Sequence, residues 1–292
     1  MIMKTLLLFF ALAGGLSGYS QLVSDSLMID GHYRAFHFIP EGRQSYSDLV
    51  FVLHGSGGNG KGMMERTAKM RALAQAENAL LVYPDGYKNY WNECRKQANS
   101  IANIENINEE DFFKGMIAYF EKRYQINPKN VFAVGSSGGG HMAYKLAITL
   151  PHAFRAITAL IANLPDEPNM DCPPATVPMP VMIVNGTEDK TNPYGGGAMG
   201  ALGNGITLGT VRSTDQTFAF WAGLAGYSGK PKKERLPDLD PSDGKIIERY
   251  TYRKKNKPEV VLLKVIGGQH NYPNDIDVFV EAWQFFKRQK AN

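Results

Sequence analysis

Residues 131–143 read VFAVGSSGGGHMA. The run VFAV is short and continuously apolar, which marks a strand buried on both faces. The residues from GGHMAYKLAITL carry apolar positions at helical spacing and stop before Pro151, which marks a helix. Between the two, Gly135, Ser137 and Gly139 spell G-x-S-x-G. That string is common by itself, but a strand before it and a helix after it make it specific. A serine on so sharp a turn has its hydroxyl lifted above the sheet, and flanking residues without side chains let the backbone pass tightly. It also sits at a helix N-terminus, where free amides favour a developing negative charge.

Working outward, strand and helix signals alternate, which is the pattern of a mostly parallel sheet covered by helices on both faces. YRAFHFI, LVFVLH, ALLVYPDG, RAITALIA, VPMPVMIVNG, IIERYTYRKK and VVLLKVIGG read as strands. MMERTAKMRALAQAEN is expected as one helix ending at Asn78. EEDFFKGMIAYFEKRY, with acids in its first turn and bases in its last, STDQTFAFWAGLAG and DIDVFVEAWQFFKRQK are further helices. YGGGAMGALGNGITLG is too rich in glycine to hold regular structure, and KPKKERLPDLDPSDG reads as a loop.

A serine hydroxyl is a poor nucleophile without a base, and the base needs an orienting acid. On such a sheet the partners follow the serine in the order acid, then histidine, each on a loop after a later strand. Of the histidines after Ser137, His141 lies one turn along the same helix and His152 just past its end. His270, in GGQHNYP directly after VVLLKVI, has the required position and is the expected base. The loop after VPMPVMIVNG offers Glu188 and Asp189, and Asp189 is the expected acid.

Upstream, residues 51–62 read FVLHGSGGNGKG. Gly55, Gly60 and Lys61 match the phosphate-cradling G-x-x-x-x-G-K, but Gly62 stands where the magnesium-binding Ser or Thr belongs. The stretch follows a buried strand ahead of the serine, where this architecture places its second oxyanion donor, so the Ser56 and Gly138 amides are expected to form the oxyanion hole. Trp91 and Asn92, in the loop after ALLVYPDG, and Tyr194 and Tyr272, each a few residues from an expected active-site position, are candidate substrate contacts.

Lysine and arginine exceed acids by only 32 to 28, and the basic runs KPKKER and RKKNK sit in polar turns, so a solvated loop is expected rather than a nucleic-acid surface. Lys4, the apolar run TLLLFFALAGGL and small residues up to Ser20 form the pattern of a secretory signal peptide, too short for a stable membrane span. Residues 21–292 are then expected as one catalytic domain, secreted or periplasmic and monomeric. In an exported chain the two cysteines, Cys94 and Cys172, are expected as a disulfide, and neither has zinc-ligand spacing. No metal or organic cofactor is implied.

Taken in order, DGHYRAFHFIP, LHGSGGNG, LVYPDG, YWNEC, the serine elbow, NGTEDKTNPYGGG, FAFWA and GGQHNYP resemble the secreted α/β-hydrolase esterases grouped as poly(3-hydroxybutyrate) depolymerase-like and feruloyl or acetylxylan esterase-like proteins. The resemblance covers nearly all of residues 21–292. It implies an α/β-hydrolase fold, with Ser137 as nucleophile, Asp189 as acid and His270 as base, acting on a carboxylic ester, feruloyl or acetyl on plant-wall polysaccharide or else a polyhydroxyalkanoate. A catalytically silent carbohydrate-binding relative is the alternative of another class. The chain departs from the family at Tyr272, where HNYP replaces a frequent HTWP, and at Tyr227, where a cysteine is frequent.

Overall fold

The computed structural model describes residues 21–200 and 205–290. The expected signal peptide lies outside the described residues, as do 201–204 of the glycine-rich stretch. The chain opens with strands β1 (Val23–Ile29), β2 (His32–Phe38) and β3 (Asp48–Leu53), helices α1 (Gly60–Arg66) and α2 (Ala68–Ala76), and strand β4 (Ala79–Pro84). Helices α3 (Ile101–Ile104) and α4 (Glu109–Tyr124) lead to β5 (Val131–Ser136), α5 (Gly138–Thr149), β6 (Ala156–Leu160) and β7 (Val181–Gly186). The short β8 (Gly197–Ala198) and β9 (Thr210–Val211) precede α6 (Thr214–Leu224). Strands β10 (Lys232–Arg235), β11 (Ile246–Tyr252) and β12 (Val260–Ile266) and helix α7 (Val278–Lys287) follow.

Ten strands form one sheet in the order β1-β2-β4-β3-β5-β6-β7-β12-β11-β10. The stretch from β4 to β12 is parallel, and the outer pairs are antiparallel. The fold is that of the α/β hydrolases. Every residue of β3, β4, β5, β6 and β7 is buried, as strands covered on both faces require. On one face Phe112, Phe113, Met116 and Phe120 of α4 pack with α5 and α6, and on the other Met63, Met70, Ala74, Phe279, Trp283 and Phe286 gather α1, α2 and α7. The strand order reverses around β3, with β4 on one side and β5 on the other. That reversal opens a crevice at the carboxyl ends of the strands.

Three local expectations are corrected. The helix expected through to Asn78 is two helices. Thr67 breaks it, with φ −108°, its hydroxyl donating to Met63 O at 2.8 Å and meeting Tyr83 Oη at 3.0 Å. Lys232–Arg235 is an edge strand on β11 rather than loop, its charged side chains suiting an edge that must not pair further. Within the glycine-rich stretch, Gly197–Ala198 pairs with Thr210–Val211.

Candidate active site

Ser137 sits between β5 and α5 at φ 52°, ψ −116°, a backbone region that an L residue holds only when its surroundings impose it. Two glycines allow this. A Cβ at Gly135 would lie 1.9 Å from Gly139 O, and one at Gly139 would lie 2.5 Å from Leu53 O, so neither position tolerates a side chain. The Ser137 amide donates to Leu160 O of β6 at 2.9 Å, pinning the turn to the sheet.

The carboxyl ends of β7 and β12 bring the partners expected from the sequence to this turn. His270 Nε2 lies 3.0 Å from Ser137 Oγ, and His270 Nδ1 lies 2.7 Å from Asp189 Oδ2. Since the carboxylate accepts, Nδ1 carries the proton and Nε2 turns its lone pair to the hydroxyl. Asp189 is 4% exposed, and its other oxygen accepts the amides of Thr191 at 2.8 Å and Asn192 at 2.7 Å. Glu188 points to solvent. The arrangement can draw a proton from Ser137 onto His270 while Asp189 holds the imidazole. His141 is buried beneath the turn, where desolvation holds its pKa well below the ordinary histidine value, and His152 is exposed.

A polar network behind Asp189 escapes sequence reading because its asparagines look like turn residues. Asn192 Oδ1 accepts from Asn163 N at 3.0 Å, and Asn185 Nδ2 donates to Asn163 Oδ1 at 2.7 Å and to Thr214 Oγ1 at 2.9 Å. All four side chains are buried, so the acid-bearing loop is tied to β6 and α6 by bonds that have no water to replace them.

The loop Gly55–Gly58 meets the elbow from the other side. A Cβ at Gly138 would stand 2.6 Å from Ser56 Oγ and 3.0 Å from Ser56 N, so the two amides are neighbours, and among the described residues the Ser56 amide has no acceptor. His54 braces this loop: Nδ1 donates to Gly55 O at 2.8 Å and Nε2 accepts from Gly86 N at 2.8 Å. Burial lowers its pKa, which keeps it neutral. The helix start that a phosphate would need is already occupied. Asp85 Oδ1 accepts Gly60 N at 2.6 Å and Asn59 Oδ1 accepts Gly62 N at 2.9 Å.

Of the four expected substrate contacts, three are placed elsewhere. Trp91 is not an exposed platform: it is 3% exposed, donates from Nε1 to His54 O at 2.9 Å and packs on the His54 and Phe113 rings. Asn92 is buried, its amide donating to Asn106 Oδ1 and Ile107 O, each at 3.0 Å. Tyr194 turns away to donate to Asp215 Oδ1 at 2.8 Å, beneath Lys264. Only Tyr272 lines the cleft. Its hydroxyl donates to Ser136 Oγ and its ring meets Phe279 edge-on. The cleft is about 570 Å³ and is also lined by Ser56, Ser137, His270, Ile161, Met63 and Arg66. Ile161, at φ 47°, is held in a conformation rare for a β-branched residue. Against the opposite side of Ser56 and Gly138 lies a void of about 10 Å³ bordered by Trp91, Arg95 and Leu208. Cys94 and Cys172 form a disulfide with Cα atoms 5.0 Å apart, tying the Trp91 loop to the segment before β7.

Among curated proteins, the chain is 27% identical over 240 residues to NocK of Nocardia uniformis subsp. tsuyamanensis, described as an esterase, covering 80% of this chain and 67% of that protein. It is 24% identical over 208 residues to feruloyl esterase B of Piromyces equi, covering 70% of this chain and 35% of that enzyme, so it spans about a third of the latter's length. Among solved structures, acetyl xylan esterase from Aspergillus awamori superposes with a TM-score of 0.60 at 17% identity, over 91% of this chain and 99% of that one, which speaks to the fold. Residues 35–201, more than half of the chain, match the phospholipase/carboxylesterase family. The chain therefore belongs to that family and is a carboxylic-ester hydrolase of the α/β-hydrolase fold.

Proposed function

We propose that the protein is an exported serine esterase that works through an acyl-enzyme on esters carried by plant-wall polysaccharide, acetyl or feruloyl. The observation that carries the mechanism is the relay from Ser137 Oγ through His270 to Asp189, at 3.0 and 2.7 Å. Ser137 Oγ attacks the ester carbonyl as its proton passes to His270 Nε2, and the carbonyl oxygen becomes an anion between the Ser56 and Gly138 amides. Each such donor is worth about 3 to 4 kcal/mol in the transition state. Collapse breaks the bond to the alcohol oxygen, which leaves with the proton from His270. Water then attacks the acyl-enzyme, His270 takes its proton and returns it to Ser137, and the acid departs.

The void beside the two amides, about 10 Å³, holds no more than a water-sized group, so a bulky acyl part has no place on that side, which favours acetyl over feruloyl. The disulfide supports export, because such bonds persist in oxidising compartments. A panel of acetylated and feruloylated xylo-oligosaccharides, hydroxybutyrate oligomers and long-chain acyl esters tests the reading. The expected order has the acetylated oligosaccharide first in kcat/KM. A preference for long-chain acyl esters or for hydroxybutyrate oligomers contradicts it.

A further inference from the structure

We infer that the cleft continues into a cationic groove in which Arg66 and Lys69 hold a carboxylate on the larger part of the ester, so that uronate-bearing oligosaccharides are preferred over neutral ones. The inference rests on the ester-hydrolase reading of Ser137 and deepens it. Next to the catalytic cleft lies a second hollow of about 460 Å³, lined by Arg66, Lys69, Tyr272, Asn274 and Asp277 among others. Arg66 and Tyr272 line both hollows, so the two adjoin at these side chains.

The break between α1 and α2 sets the charges on this wall. Thr67 is buried, and its hydroxyl bonds to Met63 and Tyr83 turn the chain so that Arg66, ending α1, and Lys69, opening α2, border the same hollow. Both side chains are exposed, and neither has a carboxylate or hydrogen-bond partner among the described residues. Among the described residues one carboxylate borders the hollow, Asp277, and its Oδ1 is engaged by the amides of Phe279 and Val280 at the start of α7. Tyr272 is fixed by Ser136 and Phe279, giving the passage a rigid apolar side. A guanidinium fork beside an ammonium, unpaired and on a ring-lined groove, suits a sugar carboxylate. Exposed pairs of this kind are individually weak, so together they give about a five- to tenfold preference that salt erodes.

The test uses the full chain, with hydrolysis of 4-nitrophenyl acetate as the readout. Oligogalacturonate and a neutral xylo-oligosaccharide of equal length are compared as competitive inhibitors of the parent, Arg66→Gln, Lys69→Gln, the double variant and Arg66→Lys. The expected result is tighter inhibition by the uronate chain, by about five- to tenfold, lost at about 0.5 M salt and in the double variant and retained in Arg66→Lys. Equal inhibition by the two oligosaccharides, or a uronate preference that survives the double substitution, overturns the inference. Turnover of acetylated xylo-oligosaccharides with and without a glucuronate branch is measured alongside. Selective uronate binding without turnover of either ester would leave the groove standing and sink the polysaccharide-ester reading instead.

Discussion

Asp189→Asn changes one atom of the site and leaves its shape, so its effect can be worked out from the contacts. Asp189 Oδ1 accepts two backbone amides, a part-buried one from Thr191 and a buried one from Asn192, and Oδ2 accepts His270 Nδ1. In the variant, the carboxamide oxygen must stay with the two amides, which puts its NH2 group against His270 Nδ1. The imidazole then accepts at Nδ1 and carries its proton on Nε2, facing Ser137, where it cannot take the serine proton. Flipping the carboxamide restores the right tautomer but strands the Thr191 and Asn192 N–H groups against an NH2. At about 1 to 3 kcal/mol for each stranded group, the flip costs about 2 to 6 kcal/mol. The competent form is thus about 30-fold to 25,000-fold rarer. The expected fall in kcat lies within that range, and the fall of about 10⁴ known for the corresponding swap in a serine protease stands near its upper end. The assay is single-turnover and steady-state hydrolysis of 4-nitrophenyl acetate, with a thermal melt to show that the fold is kept. A kcat within tenfold of the parent would refute the reasoning about the relay.

Gly135→Ala should fail to fold or lose essentially all activity, because its Cβ would lie 1.9 Å from Gly139 O; soluble, active protein would contradict the elbow geometry. The Cys94 to Cys172 bond closes a separation of 78 residues, so reducing it should cost about 4.5 kcal/mol by chain entropy, read as a drop in urea midpoint; alkylation of two thiols in folded, unreduced protein would contradict the bond. Folding stability should fall as pH drops below about 6.5. His54 and His141 are buried with lowered pKa values, so the unfolded chain binds protons that the folded chain does not. Urea unfolding at about pH 5 and pH 7.5 checks the sign, since stability present above the unfolded pKa is lost on acidification, and a flat or opposite trend would contradict the burial argument.

The elbow and its partners were legible in the sequence because each depends on position along the chain as much as on residue type. Ser137 lies between an apolar run and a helix, and Asp189 and His270 each follow a strand whose residues have no polar face. Choosing Asp189 over Glu188 required only that one follow the strand at the right distance, and the structure buries that one and exposes the other. Trp91 was not legible, because an aromatic in a polar loop reads the same whether it faces a ligand or the underside of another loop. Its burial follows from the carbonyl of His54, a residue 37 positions away, which no local pattern announces. Strand β1 was missed for a different reason. VSDSLMI alternates half-buried and exposed positions on a sheet edge, so its serine and aspartate mask the apolar face. The split at Thr67 depends on Tyr83, a contact between separate elements. It is also the feature that sets Arg66 and Lys69 on the groove.

The central claim is that Ser137 is the atom source of the acyl-enzyme, and covalent labelling tests it most directly. The protein is treated with a fluorophosphonate and the adduct is mapped by peptide mass spectrometry, in parallel with Ser137→Ala. The account predicts a single adduct on Ser137, absent in the variant, with hydrolysis of 4-nitrophenyl acetate reduced by several orders of magnitude. An adduct on another residue, or more than about a tenth of the activity left in Ser137→Ala, a change under about 1.4 kcal/mol, would contradict it.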